Sequence, residues 1–190
     1  MNPARPSPVP SEVRRVMQVC WVVDDIDTAM AGWTQTMGIG PFLIFRDLLI
    51  DNLRYRGSPG STHFSVAMAQ AGGVQIELIQ QHCDNPSAYR DLVEAGMRGQ
   101  HHVAIYVRDY DAALAHFLNQ GFVAAVDGDF GGMRFAYIDT RAPLGCMVEI
   151  IESHPLQDDI FARVAEAAEN WDGITDPVRP AMPTAQESLP

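Results

Sequence analysis

The sequence predicts an α+β fold made of two copies of one structural unit. Three observations support this prediction. Apolar strand patterns alternate with amphipathic helical patterns, one block of sequence recurs 84 residues later, from Gln18 to His102, and a second block recurs 72 residues later, from Glu77 to Glu149. The blocks follow the same order in both halves. Each unit is therefore predicted to be a strand, a helix and about three strands, which we call a βαβββ module.

The first repeated block predicts a strand, a turn and a helix. QVCWVVDDIDTAMAGW, which starts at Gln18, aligns with HVAIYVRDYDAALAHF, which starts at His102. The opening residues of both are rich in β-branched and aromatic side chains, which favour a strand. Asp25 and Asp109 can then accept hydrogen bonds from the free N–H groups of a helix, and Gly38 permits the left-handed conformation that ends one. Apolar residues at helical spacing give each helix one face for the core.

The second repeated block predicts the last hairpin of each module. GVQIELIQQH, which starts at Gly73, aligns with GCMVEIIESH, which starts at Gly145. Gly72 and Gly73 favour the turn of the first hairpin, and Pro143 and Gly145 lie near the turn of the second. The first module is longer than the second, and its extra length falls in GPFLIFRDLLIDNLRYRGSPG. We expect this extra segment to form a lid or a substrate wall.

Composition and helical spacing predict the segments outside the modules. The N-terminus is proline-rich, Asn85 and Pro86 favour a helix start between the modules, and DDIFARVAEAAENW has apolar residues at helical spacing. The predicted organisation is a disordered leader over 1–13, a first module over 14–83, a linker helix over 84–98, a second module over 99–155, a C-terminal helix over 156–172 and an extended tail over 173–190.

Composition excludes several classes of function. All 13 basic residues are arginine, so a Schiff-base lysine and the phosphate-binding lysine of a P-loop are both absent. The net charge of −11 disfavours nucleic acid as a partner. No apolar run is long enough to span a membrane and no secretory signal precedes the modules, so we expect a cytoplasmic protein. Cys20, Cys83 and Cys146 lack disulfide or zinc-ribbon spacing and are expected to be buried small residues.

Four polar residues occupy equivalent strand positions in the two modules. Gln18 aligns with His102, and Glu77 aligns with Glu149. Both glutamates lie in apolar runs, and a buried carboxylate without a partner is costly. A divalent ion shared by the four side chains would satisfy them. Three oxygens and one nitrogen suit zinc, nickel, cobalt or manganese in an open site.

The spacing alone leaves a second interpretation of these residues. Glu77 and Glu149 can also lie at sheet edges in contact with solvent, with Gln18 and His102 as ordinary polar residues at strand entries. His101, which is adjacent to His102, aligns with Met17. His101 is therefore not a candidate ligand.

Over residues 14–155 the sequence resembles the vicinal oxygen chelate superfamily, the glyoxalase and bleomycin-resistance family. The duplicated modules carry this resemblance, and the set Gln18, Glu77, His102 and Glu149 is similar to that of zinc-type glyoxalase I. MGIGPFLIFRD is also similar to the methylmalonyl-CoA epimerase-like branch, whose ligand set differs in the first module. The resemblance implies that the two modules form a half-open eight-stranded barrel around a metal.

The resemblance implies a metal-dependent lyase, isomerase or epimerase. In this family a divalent ion binds two vicinal substrate oxygens and stabilises the enediolate or enolate that forms when a carboxylate removes the adjacent proton. Glu149 is then the expected base, and Glu77 is the alternative for the opposite face. Only one histidine belongs to the set, which disfavours the iron-dependent dioxygenase chemistry that uses two.

The resemblance also implies a small oxygen-rich substrate, such as a thiol adduct or an acyl-CoA, and a homodimer. Asp47 and Asp51, in the extra segment, are candidates for a second base. The alternative function is a non-catalytic protein that binds or sequesters a small molecule, as bleomycin-resistance proteins do. The sequence does not identify a glutathione-binding set among its candidate arginines, which are Arg46, Arg54, Arg56, Arg98 and Arg134.

Overall fold

The computed structural model describes residues 9–181 and confirms the predicted fold class, an α+β protein whose two modules form a mixed eight-stranded barrel. The elements, in chain order, are β1 (Val16–Val22), α1 (Ile26–Met37), β2 (Phe42–Tyr55), β3 (Ser58–Ala71), β4 (Val74–Gln81), β5 (Gly99–Val107), α2 (Tyr110–Leu118), β6 (Ala124–Phe130), β7 (Met133–Ile138), α3 (Arg141–Leu144), β8 (Met147–Glu152), α4 (Pro155–Glu169) and β9 (Val178–Pro180).

The helices that follow β1 and β5 begin for the predicted reason, and the first of them also ends as predicted. The Asp25 carboxylate accepts a hydrogen bond from Thr28 N at 2.7 Å, and the Asp109 carboxylate accepts one from Ala112 N at 2.9 Å. α1 ends at Gly38, whose φ of 66° is the left-handed conformation that glycine adopts at low cost. Local sequence therefore fixes where each helix starts beside its strand.

The barrel closes through one short contact. The strands follow the order β3, β4, β1, β5, β8, β7, β6, β2, and β2 also pairs with β3. β1 and β5 join the modules as antiparallel neighbours on one side. On the other side β2 pairs with β6 only at Leu53, Arg54 and Tyr55. The two modules make no longer strand pairing on this side, which agrees with the half-open barrel that the resemblance implies.

Two bulges lie at equivalent places in the strands that join the modules. The pairing of β1 with β5 skips one residue on each strand, Met17 on β1 and His101 on β5. These two residues are also aligned by the sequence repeat. A bulge bends its strand and changes the direction of nearby side chains. Each module therefore carries the same distortion beside its first candidate ligand.

Apolar side chains pack on both surfaces of the barrel wall. α1 covers the outside of the first module with Ile26 and Met30, and α2 covers the outside of the second with Tyr110 and Phe117. A separate cluster fills the interior and includes Ile160 of α4. The barrel wall is thus held from outside by α1 and α2, while α4 contributes to the interior.

The linker helix predicted over 84–98 is wrong, because this segment forms a series of turns. Some of its polar groups bind outside the segment. The Ser87 hydroxyl donates to Gln81 Oε1 at 2.6 Å, and the Ala88 carbonyl oxygen lies 2.9 Å from His101 Nε2. The Leu92 N–H, one helical turn later, donates to the Tyr89 carbonyl oxygen at 3.3 Å instead of to that of Ala88. Tyr89, which follows it, is buried in the core.

The terminal segments also depart from the prediction. Residues 12–14 of the N-terminal region form a 3-10 turn, where the Glu12 carboxylate accepts a hydrogen bond from Arg108 N at 3.1 Å. Part of the predicted extended tail is the strand β9, which pairs in parallel with the free edge of β2. Residues 1–8 of the predicted leader and 182–190 of the predicted tail lie outside the described residues. Within 9–181, no helix combines the length and the apolar character that crossing a bilayer requires.

Candidate metal centre

The predicted metal ligands lie on four adjacent strands of the barrel wall, in the order β4, β1, β5, β8. Glu77 on β4 pairs with Cys20 on β1, and Cys20 in turn pairs with His102 on β5. Glu149 on β8 pairs with the β5 residue two positions beyond His102. Since alternate strand residues share a face, Gln18 lies on the same face of β1 as Cys20. The fold thus brings residues from both modules to one place.

His102 is the point of contact between the two glutamates. Its Nε2 lies 3.2 Å from Glu77 Oε2 and 3.1 Å from Glu149 Oε2, and its side chain is fully buried. Burial alone would lower the pKa of His102, but the carboxylates of Glu149 and Glu77 outweigh burial and raise this pKa to about 9. Burial also raises the pKa of the Glu149 carboxyl. The cluster therefore favours a positive charge between the two carboxylates.

Three buried atoms of the cluster have no hydrogen-bond partner in the described part of the chain. They are Gln18 Oε1, Glu77 Oε2 and His102 Nε2. The Gln18 amide nitrogen donates to Gln75 Oε1 at 3.4 Å, which leaves the amide oxygen as the free ligand atom. His102 Nε2 is close enough to both carboxylates for an ion pair, but it is not aligned with either for a hydrogen bond. An unsatisfied buried polar atom costs about 1–3 kcal/mol, so three together indicate a shared ligand.

These atoms fit a divalent cation. Amide oxygen, carboxylate oxygen and imidazole nitrogen are donors that zinc and its neighbours in the periodic table accept. Adjacent ligands of an ion with bonds of about 2.1 Å lie about 3 Å apart in octahedral geometry. The separations of His102 Nε2 from the two carboxylates, 3.2 and 3.1 Å, are close to that spacing. Gln18, Glu77, His102 and Glu149 are therefore suited to hold the predicted ion.

Cys20 is a neighbour of this site that the sequence analysis treated only as a small buried residue. Its Sγ and the ligand atoms of Glu77 and His102 all lie within 4.8 Å of one another. Burial and the nearby Glu77 carboxylate raise the pKa of the Cys20 thiol well above its usual value. The alternation of residues on β1 places Cys20 on the same face as Gln18, and this signal was available in the sequence.

His101 is a second neighbour that the sequence analysis set aside. Its Nε2 lies 2.9 Å from the Ala88 carbonyl oxygen, and its Nδ1 lies 2.8 Å from His102 Nδ1. A carbonyl oxygen only accepts hydrogen bonds, so His101 Nε2 carries a hydrogen. Burial and the charge of His102 lower the pKa of His101 to about 3, so its ring is neutral and its Nδ1 accepts the hydrogen of His102 Nδ1. His101 thereby leaves His102 Nε2 as the nitrogen that faces the glutamates.

A cavity of about 100 Å³ adjoins the cluster. Gln18, Glu77 and Glu149 form a polar end, and most of the remaining lining is apolar. The extra segment of the first module forms β2 and part of β3, and it contributes Phe45 and Leu48 to the cavity. It is therefore a wall of the cavity, one of the two roles that the sequence predicted.

Other candidate polar residues lie away from the cavity. Asp47 is mostly exposed and lies 3.3 Å from His63 Nε2, and neither residue lines the cavity. The expected second base is therefore not Asp47 in this arrangement. The side chain of Asp51 lies outside the described part of the structure. His154 caps α4, where its Nδ1 accepts a hydrogen bond from Leu156 N at 3.3 Å.

Comparisons with known proteins support the same architecture. A curated relative, 2-epi-5-epi-valiolone epimerase from Actinomyces sp, is 27% identical over 169 residues, which cover 82% of this chain and 90% of that protein. Methylmalonyl-CoA epimerase from Mycobacterium tuberculosis has a TM-score of 0.55 at 17% identity, with 80% of this chain and 96% of that chain covered. A methylmalonyl-CoA epimerase with methylmalonyl-CoA and NH4+ bound has a TM-score of 0.52 at 17% identity, with 74% and 95% covered. At 17% identity, the similarity of these two solved structures to this chain shows a common fold.

The family assignment rests on the sequence. The sequence profile of the Glyoxalase/Bleomycin resistance protein/Dioxygenase superfamily matches residues 17–137, which is more than half of the chain. The match runs from β1 into β7 and contains Gln18, Glu77 and His102, while Glu149 lies beyond its end. This chain belongs to the Glyoxalase/Bleomycin resistance protein/Dioxygenase superfamily.

Proposed function

We propose that this protein is a metal-dependent epimerase or isomerase that removes a proton from a carbon next to a carbonyl group. One observation carries the proposal: three unsatisfied buried atoms converge where two carboxylates flank His102 at the polar end of a cavity. Such a cluster has both the donor set for a divalent ion and a carboxylate to move a proton. The epimerase names of the relatives favour an epimerase over a lyase.

The four residues divide the work in this proposal. Gln18, Glu77, His102 and Glu149 would hold one divalent ion, which as a Lewis acid polarises a carbonyl and stabilises the charge left by proton removal. Glu149 accepts the proton as the general base. Glu77 approaches His102 from a different strand and can return a proton to the other face. Two carboxylates around one centre are what an inversion of configuration needs.

The test measures proton removal directly. Purified protein of known metal content is incubated in D2O with methylmalonyl-CoA, with a 2-oxoaldehyde hemithioacetal and with an α-hydroxy ketone, and deuterium uptake is followed by NMR. We expect uptake next to the carbonyl of at least one compound. Because general bases contribute about 10²–10⁴-fold, Glu149→Gln should lower the rate per bound metal at least 100-fold.

A matched variant controls for the loss of a carboxylate. Glu94 is exposed and lies in the turns between the modules, so Glu94→Gln should leave uptake unchanged. Full exchange by both Glu149→Gln and Glu77→Gln would contradict the assignment of the base. A native protein that contains no metal, and that binds these compounds without exchange, would support the sequestering function instead.

A further inference from the structure

The walls of the cavity have a different character from its polar end. Strands β2, β3 and β7 and helix α4 surround the space beyond the cluster, and each contributes apolar side chains. Gln157, Tyr89 and Tyr137 are polar lining residues, and the two tyrosine hydroxyls lie 3.3 Å from each other. Apolar side chains that define the walls include Leu48, Val66, Met68, Phe135, Ile160 and Phe161.

None of the side chains that line this cavity in residues 9–181 is cationic. Three arginines adjoin lining residues in sequence, and all three are engaged elsewhere. Arg90 follows Tyr89, and its guanidinium donates to the Gln81 carbonyl oxygen at 3.5 Å. Arg46 follows Phe45 and donates to both Asp27 carboxylate oxygens, at 3.1 and 2.6 Å. Arg134 donates to Glu152 at 2.6 Å and to Asp111 at 2.9 Å. Since neighbouring strand residues point to opposite faces, the guanidinium groups of Arg46 and Arg134 lie on the outer side of the wall.

This lining limits what can bind. A phosphate or a second carboxylate would lose its hydration there with no cation to replace it, and the donors beyond the cluster are only the Gln157 amide and two tyrosine hydroxyls that contact each other. An alkyl or aryl group would instead bury apolar surface, with a gain of about fourfold in affinity per methylene group. A cavity that holds benzene is about 150 Å³, so a space of about 100 Å³ fits a short alkyl chain or at most one small ring.

We infer that the substrate is a small compound with two vicinal oxygens at one end and an uncharged apolar group at the other, such as a short-chain α-hydroxy ketone. This inference rests on the proposed function for the role of the oxygens, and on the walls for the rest of the molecule. The oxygen atoms of the small oxygen-rich substrate that the sequence predicts would then lie at the polar end of the cavity. The inference excludes acyl-CoA thioesters, whose charged portion is too large for a space of about 100 Å³ and meets no cationic side chain in the lining.

Hydroxamates test the inference because they present two vicinal oxygens and do not turn over. Acetohydroxamic, butanohydroxamic and hexanohydroxamic acids are titrated calorimetrically into the protein as purified, with its metal content measured, and into the same protein after chelator treatment. We expect about fourfold tighter binding per methylene until the cavity is full. Succinic monohydroxamic acid, which carries a carboxylate, should bind at least tenfold more weakly than the butano compound.

Wall variants locate the effect. Val66→Thr keeps the shape of the side chain and adds a hydroxyl group to the wall, so hexanohydroxamate should bind about three- to tenfold more weakly while acetohydroxamate changes less than twofold. Val123 is exposed and lies outside the cavity, so Val123→Thr should change neither. If Val66→Thr does not fold, Val66→Ala, which removes apolar wall surface, should still weaken hexanohydroxamate binding more than acetohydroxamate binding.

The outcomes separate this inference from the proposed function. Equal affinities across the series, or tighter binding of the carboxylate compound, would overturn the inference, with or without metal. A retained preference for longer alkyl chains in metal-free protein would support it even if the native protein contains no ion. In that case the metal-dependent function fails and the substrate class stands. If methylmalonyl-CoA alone exchanges deuterium, the proposed function stands and the inference fails.

Discussion

His101 and His102 act as a pair because their Nδ1 atoms lie 2.8 Å apart. If His101 holds the tautomer of His102, then His101→Leu should weaken metal binding about 10–100-fold, as the loss of a hydrogen bond to a ligand does. His101→Asn should stay within about threefold, since its side-chain oxygen can accept the His102 hydrogen. Competition titration with a chelating dye measures both affinities.

Two comparisons make this prediction specific. His116 lies on α2, away from the cluster, so His116→Leu should bind metal as the unmodified protein does. Circular dichroism establishes that each variant is folded. Equal weakening by His101→Asn and His101→Leu would mean that His101 contributes only to packing.

Substitution of Cys20 tests whether the metal ligands are limited to the polar residues that align in the two modules. The residue equivalent to Cys20 in the second module is Ala104, so the two modules share the donors at Gln18 and His102 but not a thiol. We expect Cys20→Ala to retain its metal, with an affinity within a few-fold of the unmodified protein. Metal analysis after dialysis measures this. A thiolate-to-metal charge-transfer band in cobalt-loaded protein, lost in Cys20→Ala, would instead make Cys20 a ligand.

Among the structural elements, helix α4 contributes Ile160 both to the interior cluster and to the cavity wall. Ile160→Ala should lower the free energy of unfolding by about 2 kcal/mol, the low end for this change, because one side of Ile160 already faces a cavity. Urea unfolding measures the loss. Ile174 is 81% exposed, so Ile174→Ala should change the free energy of unfolding by less than about 0.5 kcal/mol.

An ion-pair network joins elements beside the short contact between β2 and β6. Asp139, which follows β7, binds Arg141 at 2.8 Å and Arg56 at 2.8 Å, and Arg56 also binds Asp91 at 2.5 Å. The Arg141 guanidinium, followed by that of Arg56, holds the pKa of the Asp139 carboxyl well below its usual range. The network thus connects β2, the turns between the modules and the end of β7.

Asp139→Asn should therefore destabilise the protein in a pH-dependent way. At pH 7 we expect a loss of about 1–2 kcal/mol, the contribution of hydrogen bonds to a charged group. Because the folded pKa is lowered, the stabilisation is complete above the unfolded pKa of about 4 and is lost as the pH falls toward the folded value. Urea unfolding between pH 7 and pH 3 measures it. Asp84→Asn, at an exposed site, is the control, and a difference for Asp139→Asn that does not vary with pH would contradict the prediction.

At the scale of the whole molecule, the repeat explains why so much of the fold was predictable. Strand, helix and hairpin patterns are local, so the positions of Asp25, Gly38 and the Gly72–Gly73 turn follow from short stretches of sequence. The four aligned polar residues were predictable because a twofold relation between modules places equivalent residues together. The linker was not, since its conformation depends on distant contacts, such as that of the Ala88 carbonyl oxygen with His101, 13 positions away. The bulge at His101 has no signature in a single sequence either.

The largest expected effect of the ion is on the connection between the modules. Gln18 and Glu77 belong to the first module and His102 and Glu149 to the second, so an ion held by all four crosslinks the strands on both sides of the β1–β5 pairing. At a free metal concentration 100 times the Kd, binding adds about 2.7 kcal/mol to the free energy of unfolding. For a chain of this length, that raises the Tm by roughly 5–10 °C.

Thermal unfolding with and without a chelator measures this effect, and the quantity compared is the shift within each variant. His102→Ala has a lower Tm from the start, because it removes the positive group between two buried carboxylates, but a chelator should not lower it further. His116→Ala keeps all four ligands and should show the full shift. An equal shift in His102→Ala would place the ion elsewhere in the protein. A metal-containing native protein whose Tm does not respond to the chelator would mean that the ion contributes nothing to holding the modules together.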